Sequence, residues 1–202
     1  MIGFLGGTGP EGRGLGLRFA MKGQEVLIGS RDPERAQAAV QEILTLAPGA
    51  KVTGGGNLEV AQRGDVVFVT VPYSAHQETL ATLTHELSGK IVVDVVAPLA
   101  FSQGRAQAIP VAEGSAAQQA QIILPQARVV GAFHNLSAED LLAPEKTIDC
   151  DVVVCSDDKK AKAHVMALAE LIQGVRAVDG NGLECSHYLE ELTALLLNIN
   201  RI

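Results

Sequence analysis

The sequence is short of cysteine, of long apolar runs and of positive charge, and each shortage removes a class of protein. No stretch approaches the roughly 18 consecutive apolar residues that a membrane-spanning helix needs, and no basic segment precedes an apolar run near Met1. Neither an anchor nor a secretory leader is therefore expected. The three cysteines, Cys150, Cys155 and Cys185, form no CxxC pair and are odd in number. They point to reduced thiols in a cytoplasmic setting and to no metal site. Sixteen Lys and Arg face twenty-three Asp and Glu, and the net charge of −7 argues against a general nucleic-acid binder because it repels polyphosphate at long range. The chain also lacks HExxH, a lysine after a GxxxxGK turn and any orderable Ser-His-Asp set, which leaves hydrolase and kinase readings without support.

What is present is a 202-residue chain with 47% apolar residues, enough for one core of ordinary size. Apolar runs alternate with segments of helical period. Strands are expected at Ile2 to Leu5, Glu25 to Ile28, Lys51 to Thr53, Asp65 to Val71, Lys90 to Val95, Arg128 to Ala132, Val152 to Cys155 and Val175 to Val178. Helices are expected from Glu11 to Lys22, from Pro33 behind an Asp32 cap to Leu46, from beyond Gly114 to Leu124, from Asp158 to Ile172 and from Leu183 to Ile199. Gly54-Gly55-Gly56 reads as a local loop, and no repeat or linker divides the chain. This alternation implies an α/β, doubly wound, mainly parallel sheet. Residues 1–202 read as one domain, with about 175–202 as a small helical extension packed on the sheet or on a partner subunit.

Three loops carry chemistry. Gly7-Thr8-Gly9-Pro10-Glu11-Gly12 follows a strand and opens a helix, as a dinucleotide-binding turn of Rossmann type requires: the glycines permit a tight turn and let backbone N–H groups approach a pyrophosphate. At the end of the second strand, Ser30 and Arg31 stand where an NAD enzyme usually has an acid. With Arg35 one helical turn on, they suit the 2′-phosphate of NADP, although Ser30 or Asp32 capping a helix beside a solvated Arg31 would look the same. The cluster Thr70 to His76, the segment Val96 to Leu99, and His134 all fall at carboxyl ends of strands, where ligands sit in open α/β sheets. A histidine there could donate to a substrate oxygen, so His134 is the candidate catalytic residue.

Together, Gly6-Gly7-Thr8-Gly9, Gly29-Ser30-Arg31, Gly131-Ala132-Phe133-His134 and the terminal Leu192-Thr193-Ala194-Leu195-Leu196-Leu197-Asn198-Ile199 resemble the F420-dependent NADP reductases over essentially the whole chain. The resemblance implies hydride transfer between C4 of NADP(H) and C5 of the deazaflavin coenzyme F420, its co-substrate, by rings stacked in one cleft. It further implies that Thr8, Gly9, Pro10 and Glu11 line the pyrophosphate and that Ser30, Arg31 and Arg35 hold the 2′-phosphate. Tyr73, Gln77, Leu99 and Ala138 would lie along the nicotinamide half, with His134, Asn135 and Leu136 toward the deazaflavin. The pattern departs from the family at Arg35, where lysine is expected, at Tyr73, where tryptophan can occur, and at Arg201-Ile202, which lack the family's longer glycine-containing tail. A homodimer is the expected assembly. Two other readings use the same N-terminal half: an NADP-dependent reductase of a small imine, a metal chelate or a deazaflavin or pterin precursor, and a non-catalytic NADP-sensing module.

Overall fold

The computed structural model describes residues 1–200; the terminal departure at Arg201-Ile202 lies outside them. In chain order the elements are β1 (Ile2–Leu5), α1 (Pro10–Met21), β2 (Val26–Ser30), α2 (Pro33–Leu46), β3 (Val52–Gly56), α3 (Asn57–Arg63), β4 (Val66–Val69), α4 (Tyr73–Ala81) and β5 (Ile91–Asp94). There follow β6 (Leu99–Ser102), β7 (Arg105–Ala108), α5 (Ala116–Ile123), β8 (Arg128–Gly131), α6 (Ala138–Leu141), β9 (Cys150–Val154), α7 (Lys159–Ala169), β10 (Val175–Asp179), a 3-10 turn at Leu183–Cys185 and α8 (Ser186–Ile199).

Six strands form one sheet in the order β3-β2-β1-β4-β5-β8, and every pairing within it is parallel. This is the doubly wound Rossmann arrangement. Alternate residues of each strand feed opposite faces, so Phe4, Ile28, Phe68, Val93 and Val130 join one buried cluster while Leu5, Leu27, Val67, Val92 and Val129 join the other. In a chain with only five phenylalanines, four meet in the first cluster: the Phe68 ring lies 4.9 Å from Phe4, 5.5 Å from Phe19 and 5.5 Å from Phe133. The chain reverses direction of growth between β1 and β4, and the crevice at their carboxyl ends is where such sheets bind ligands.

Three expectations change. Gly54-Gly55-Gly56 is not a loop but the end of edge strand β3, in register with Ile28, Gly29 and Ser30 of β2. The glycines there serve close packing, since a Cβ on Gly54 would stand 3.0 Å from the Ala36 carbonyl carbon of α2. Residues after Pro72 form helix α4, separated from the end of β4 by Thr70, Val71 and Pro72. Among the described residues, strands β9 and β10 pair with each other and not with the large sheet, and one isolated antiparallel bridge, Gly131 to Cys155, links it to the residue that follows β9. Helix α8 lies against the β6–β7 hairpin, where Asn198 accepts from Ala106 N at 2.9 Å and donates to Ala106 O at 2.8 Å.

Candidate functional site

The first turn of α1 is built for an anion. Its N-cap, Gly9, offers no capping side chain, Pro10 supplies no N–H, and a Cβ on Gly9 would meet nothing within 4 Å. The free N–H groups and positive end of the helix therefore face open space. Gly12 is a packing requirement: a Cβ there would come within 2.6 Å of Gly7 Cα. Gly7 N in turn donates to Gly29 O at 2.9 Å, tying the turn to β2. Gly7 and Gly12 thus shape the turn, while Thr8, Gly9, Pro10 and Glu11 line a cavity of about 630 Å³.

The far end of that cavity holds Ser30, Arg31, Asp32 and Arg35. Both arginines are exposed, with Arg31 at the end of β2 and Arg35 in the first turn of α2. Asp32 is occupied as the cap of α2, accepting from Glu34 N at 3.0 Å, and its own N–H donates to Ser30 Oγ at 3.1 Å. Helix capping and a cluster of two cations therefore coexist here. Asn57, unremarked in the sequence, also lines this cavity and accepts from Gly6 N at 3.1 Å. Its only sequence signal is an Asn at a helix start. Thr70 spends its hydroxyl on Leu5 O at 2.8 Å, joining the ends of β1 and β4.

A small space of about 160 Å³ continues from this cavity between Thr70 to Tyr73 and Val95 to Ala97, with Glu11 on its wall. It leads to a second cavity of about 700 Å³ lined by Glu11, Val95, Ala97, His134 to Glu139, Cys150 and, from α8, Thr193, Leu196, Leu197 and Asn200. The structure thus brings His134, Asn135, Leu136 and Ala138 together in one place and sets Tyr73 on the connection. Gln77 is exposed on α4 and Leu99 begins β6; neither lines any of these three spaces.

His134 is 7% exposed, and neither ring nitrogen has a hydrogen-bond partner; burial lowers its pKa from 6.5 to about 4, so it is neutral at pH 7. The preceding Phe133 adopts a left-handed φ of +70°, a conformation costly for an aromatic residue and offset by burial of its ring among the phenylalanines. Asn135 gives its amide to Asp151 O at 2.8 Å and Cys150 Sγ at 3.1 Å, fastening the loop to β9. Glu11 Oε1 is likewise buried without a partner, and burial raises this carboxyl from 4.5 to about 8.

Two supports escaped the sequence. His76 and Asp94 are both fully buried, with Nε2 and Oδ2 2.6 Å apart; Gln119 Oε1 lies 3.1 Å from Nδ1, and Asp94 Oδ1 accepts from Val96 N at 3.0 Å. Burial pulls the imidazole down, but Asp94 and Gln119 outweigh it and leave the His76 pKa raised. The pair fixes the Val95–Ala97 wall from behind. Arg18, 4% exposed, donates to the carbonyls of Leu141 (2.9 Å), Lys146 (2.8 Å), Asp140 (2.5 Å) and Ala143 (2.5 Å), and so holds α6 and its following loop against α1.

The family model described as NADP oxidoreductase, coenzyme F420-dependent, matches residues 1–98. The F420-dependent NADP reductase of Methanothermobacter marburgensis is 41% identical over 98% of this chain and 92% of its own length. That of Methanocaldococcus jannaschii is 38% identical over the same shares. A candidate F420-dependent NADP reductase from Arthrobacter sp., solved by crystallography, superposes with a TM-score of 0.78 at 29% identity, covering 98% of this chain and 90% of that one. Identity of this order over nearly the full length of both chains, on the fold and cavities described, places the protein in the F420-dependent NADP reductase family.

Proposed function

We propose that the protein transfers a hydride between NADP(H) and the deazaflavin coenzyme F420. The observation that carries this reading is the pair of cavities joined at Glu11: one with a phosphate-ready helix terminus and two arginines, the other broad and walled by residues 134–139 and α8. When bound, the two coenzymes supply the redox chemistry; the protein's part is to bring their reactive carbons together and keep water away.

On this reading Thr8, Gly9, Pro10 and Glu11 follow the pyrophosphate, and Ser30, Arg31 and Arg35 take the 2′-phosphate in charge-assisted hydrogen bonds. Tyr73, with the Val95–Ala97 wall, flanks the nicotinamide; family pattern alone adds Gln77 and Leu99 there. His134, Asn135 and Leu136 face the deazaflavin, and Ala138, which the family pattern sets along the nicotinamide half, lines the same second cavity. A neutral His134 keeps one N–H to donate and one lone pair to accept, which suits a ring edge bearing carbonyls and nitrogens.

We further read residues 1–202 as one domain in a cytoplasmic homodimer. Three free cysteines support the compartment. Exposed Tyr188, Leu192, Leu195 and Ile199, at helical spacing along α8, support the dimer. Leu195→Asp is expected to yield monomers in sedimentation velocity runs where the wild type sediments as a dimer.

The activity is tested by mixing the protein with NADPH and oxidised F420 and following deazaflavin absorbance, beside NADH. Bleaching with NADPH and much less with NADH supports the reading. Tight NADPH binding without bleaching would favour another hydride acceptor or a sensing role.

A further inference from the structure

Among the described residues Glu11 alone faces all three spaces, the dinucleotide cavity, the connection and the second cavity, and its Oε1 is buried with no partner. A lone carboxylate is poorly placed there. It would sit in the first turn of α1, competing with an incoming phosphate for the same uncapped N–H groups and repelling it in a site shielded from water. A protonated carboxyl has none of these costs and keeps one O–H to give.

We propose that Glu11 serves as a neutral acid donating a hydrogen bond to the bound dinucleotide where the two cavities meet, and that its ionisation expels the dinucleotide. This inference rests on the NADP(H) reading above. The groups around it do not replace that role. Arg31, Asp32 and Arg35 stand at the far end of the dinucleotide cavity; Tyr73 lies on the connection; His134, Glu139 and Cys150 line the second cavity. Arg13, on Glu11's own helix, is paired with Glu42 of α2. The raised pKa of about 8 comes from burial and sets the window: the acid is neutral below it and charged above. Glu190 also titrates near 8, but it holds Ala116 N and Ala117 N at the start of α5 and lines none of the three spaces.

The test is the NADPH dissociation constant at pH 7 and pH 9, read by fluorescence, for the wild type and Glu11→Gln. The wild-type Kd is expected to rise about tenfold, because about a tenth of the chains keep the neutral acid one unit above its pKa. Glu11→Gln keeps a donor and cannot ionise, so its Kd should change less than about twofold over the same interval. A carbon-detected NMR titration of the free wild type, assigned with the variant, should place the Glu11 carboxyl midpoint near 8. A flat wild-type Kd, an equal slope in Glu11→Gln, or a midpoint near 4.5 overturns the inference. No NADPH binding at either pH overturns the NADP(H) reading and this inference with it.

Discussion

Around the dinucleotide cavity the polar groups are settled: Thr70 bonds Leu5, Asn57 bonds Gly6, Asp32 caps α2, and behind the wall His76 has both Asp94 and Gln119. Around the second cavity Asn135 and Thr193 are paired, but His134 has two bare nitrogens and Glu11, on the boundary, has a bare oxygen. Buried polar groups are rarely left unpaired because each costs on the order of 1–3 kcal/mol. The first region is thus a finished scaffold whose open backbone N–H groups and exposed cations suit a phosphate. The second keeps stability in reserve for a ligand that completes its hydrogen bonds.

If that contrast is right, damage to a settled group should act on stability or on the wall that it holds in place, and change to an unsettled one on pH response and ligand use. The largest effect is expected from Asp94→Ala, which strands His76 in the core. Loss of about 3–5 kcal/mol is expected, read as a fall of roughly 10 °C or more in thermal melting. His134 comes next. Its folded-state pKa of about 4 lies below the unfolded 6.5, so the unfolded chain takes up a proton first and stability is lost as pH falls from 6.5 toward 4. At about 1.4 kcal/mol per unit this amounts to roughly 3 kcal/mol. His134→Leu should flatten that part of the pH dependence in urea unfolding at pH 7 and pH 4.5, and an unchanged slope would contradict the burial argument.

A smaller effect, confined to binding, is expected at the phosphate end. Arg31→Ala should cut the preference for NADPH over NADH by about 50-fold in kcat/KM, the worth of one charge-assisted pair. Least of all, Arg18→Lys should raise the KM for F420 by about fivefold with the KM for NADPH held, since a single ammonium cannot replace a guanidinium fork on four carbonyls. Equal shifts in both KM values would show that α6 serves the two cavities alike.

The contrast also marks how far the chain could be read before its structure was known. The strand, glycine turn, helix and second strand of residues 2–30 were legible because their logic is local: Gly12 meets Gly7 five residues away, and Ser30 and Arg31 follow directly on the strand. The pairing of His76 with Asp94 across 18 residues, and of Arg18 with Asp140 across 122, has no local trace. Gly54 to Gly56 misled for the opposite reason, since glycines that relieve packing under a helix look the same in sequence as glycines in a loop. Glu11 was visible as a first-turn acid, where the helix dipole ordinarily favours the charged form. Its burial, which reverses that expectation, comes among walls contributed by residues 70 to 73, 95 to 97 and 134 to 139, by Cys150 and by α8.

The central claim is direct passage of hydride between two coenzymes held in adjoining cavities. It is tested most directly by a single turnover of oxidised F420 with NADPH carrying deuterium at both C4 positions, followed by mass spectrometry of the reduced deazaflavin. The account predicts one deuterium on carbon in the reduced F420, with none washed out in ordinary water. Reduced F420 without deuterium, or no reduction while NADPH is bound, would contradict it.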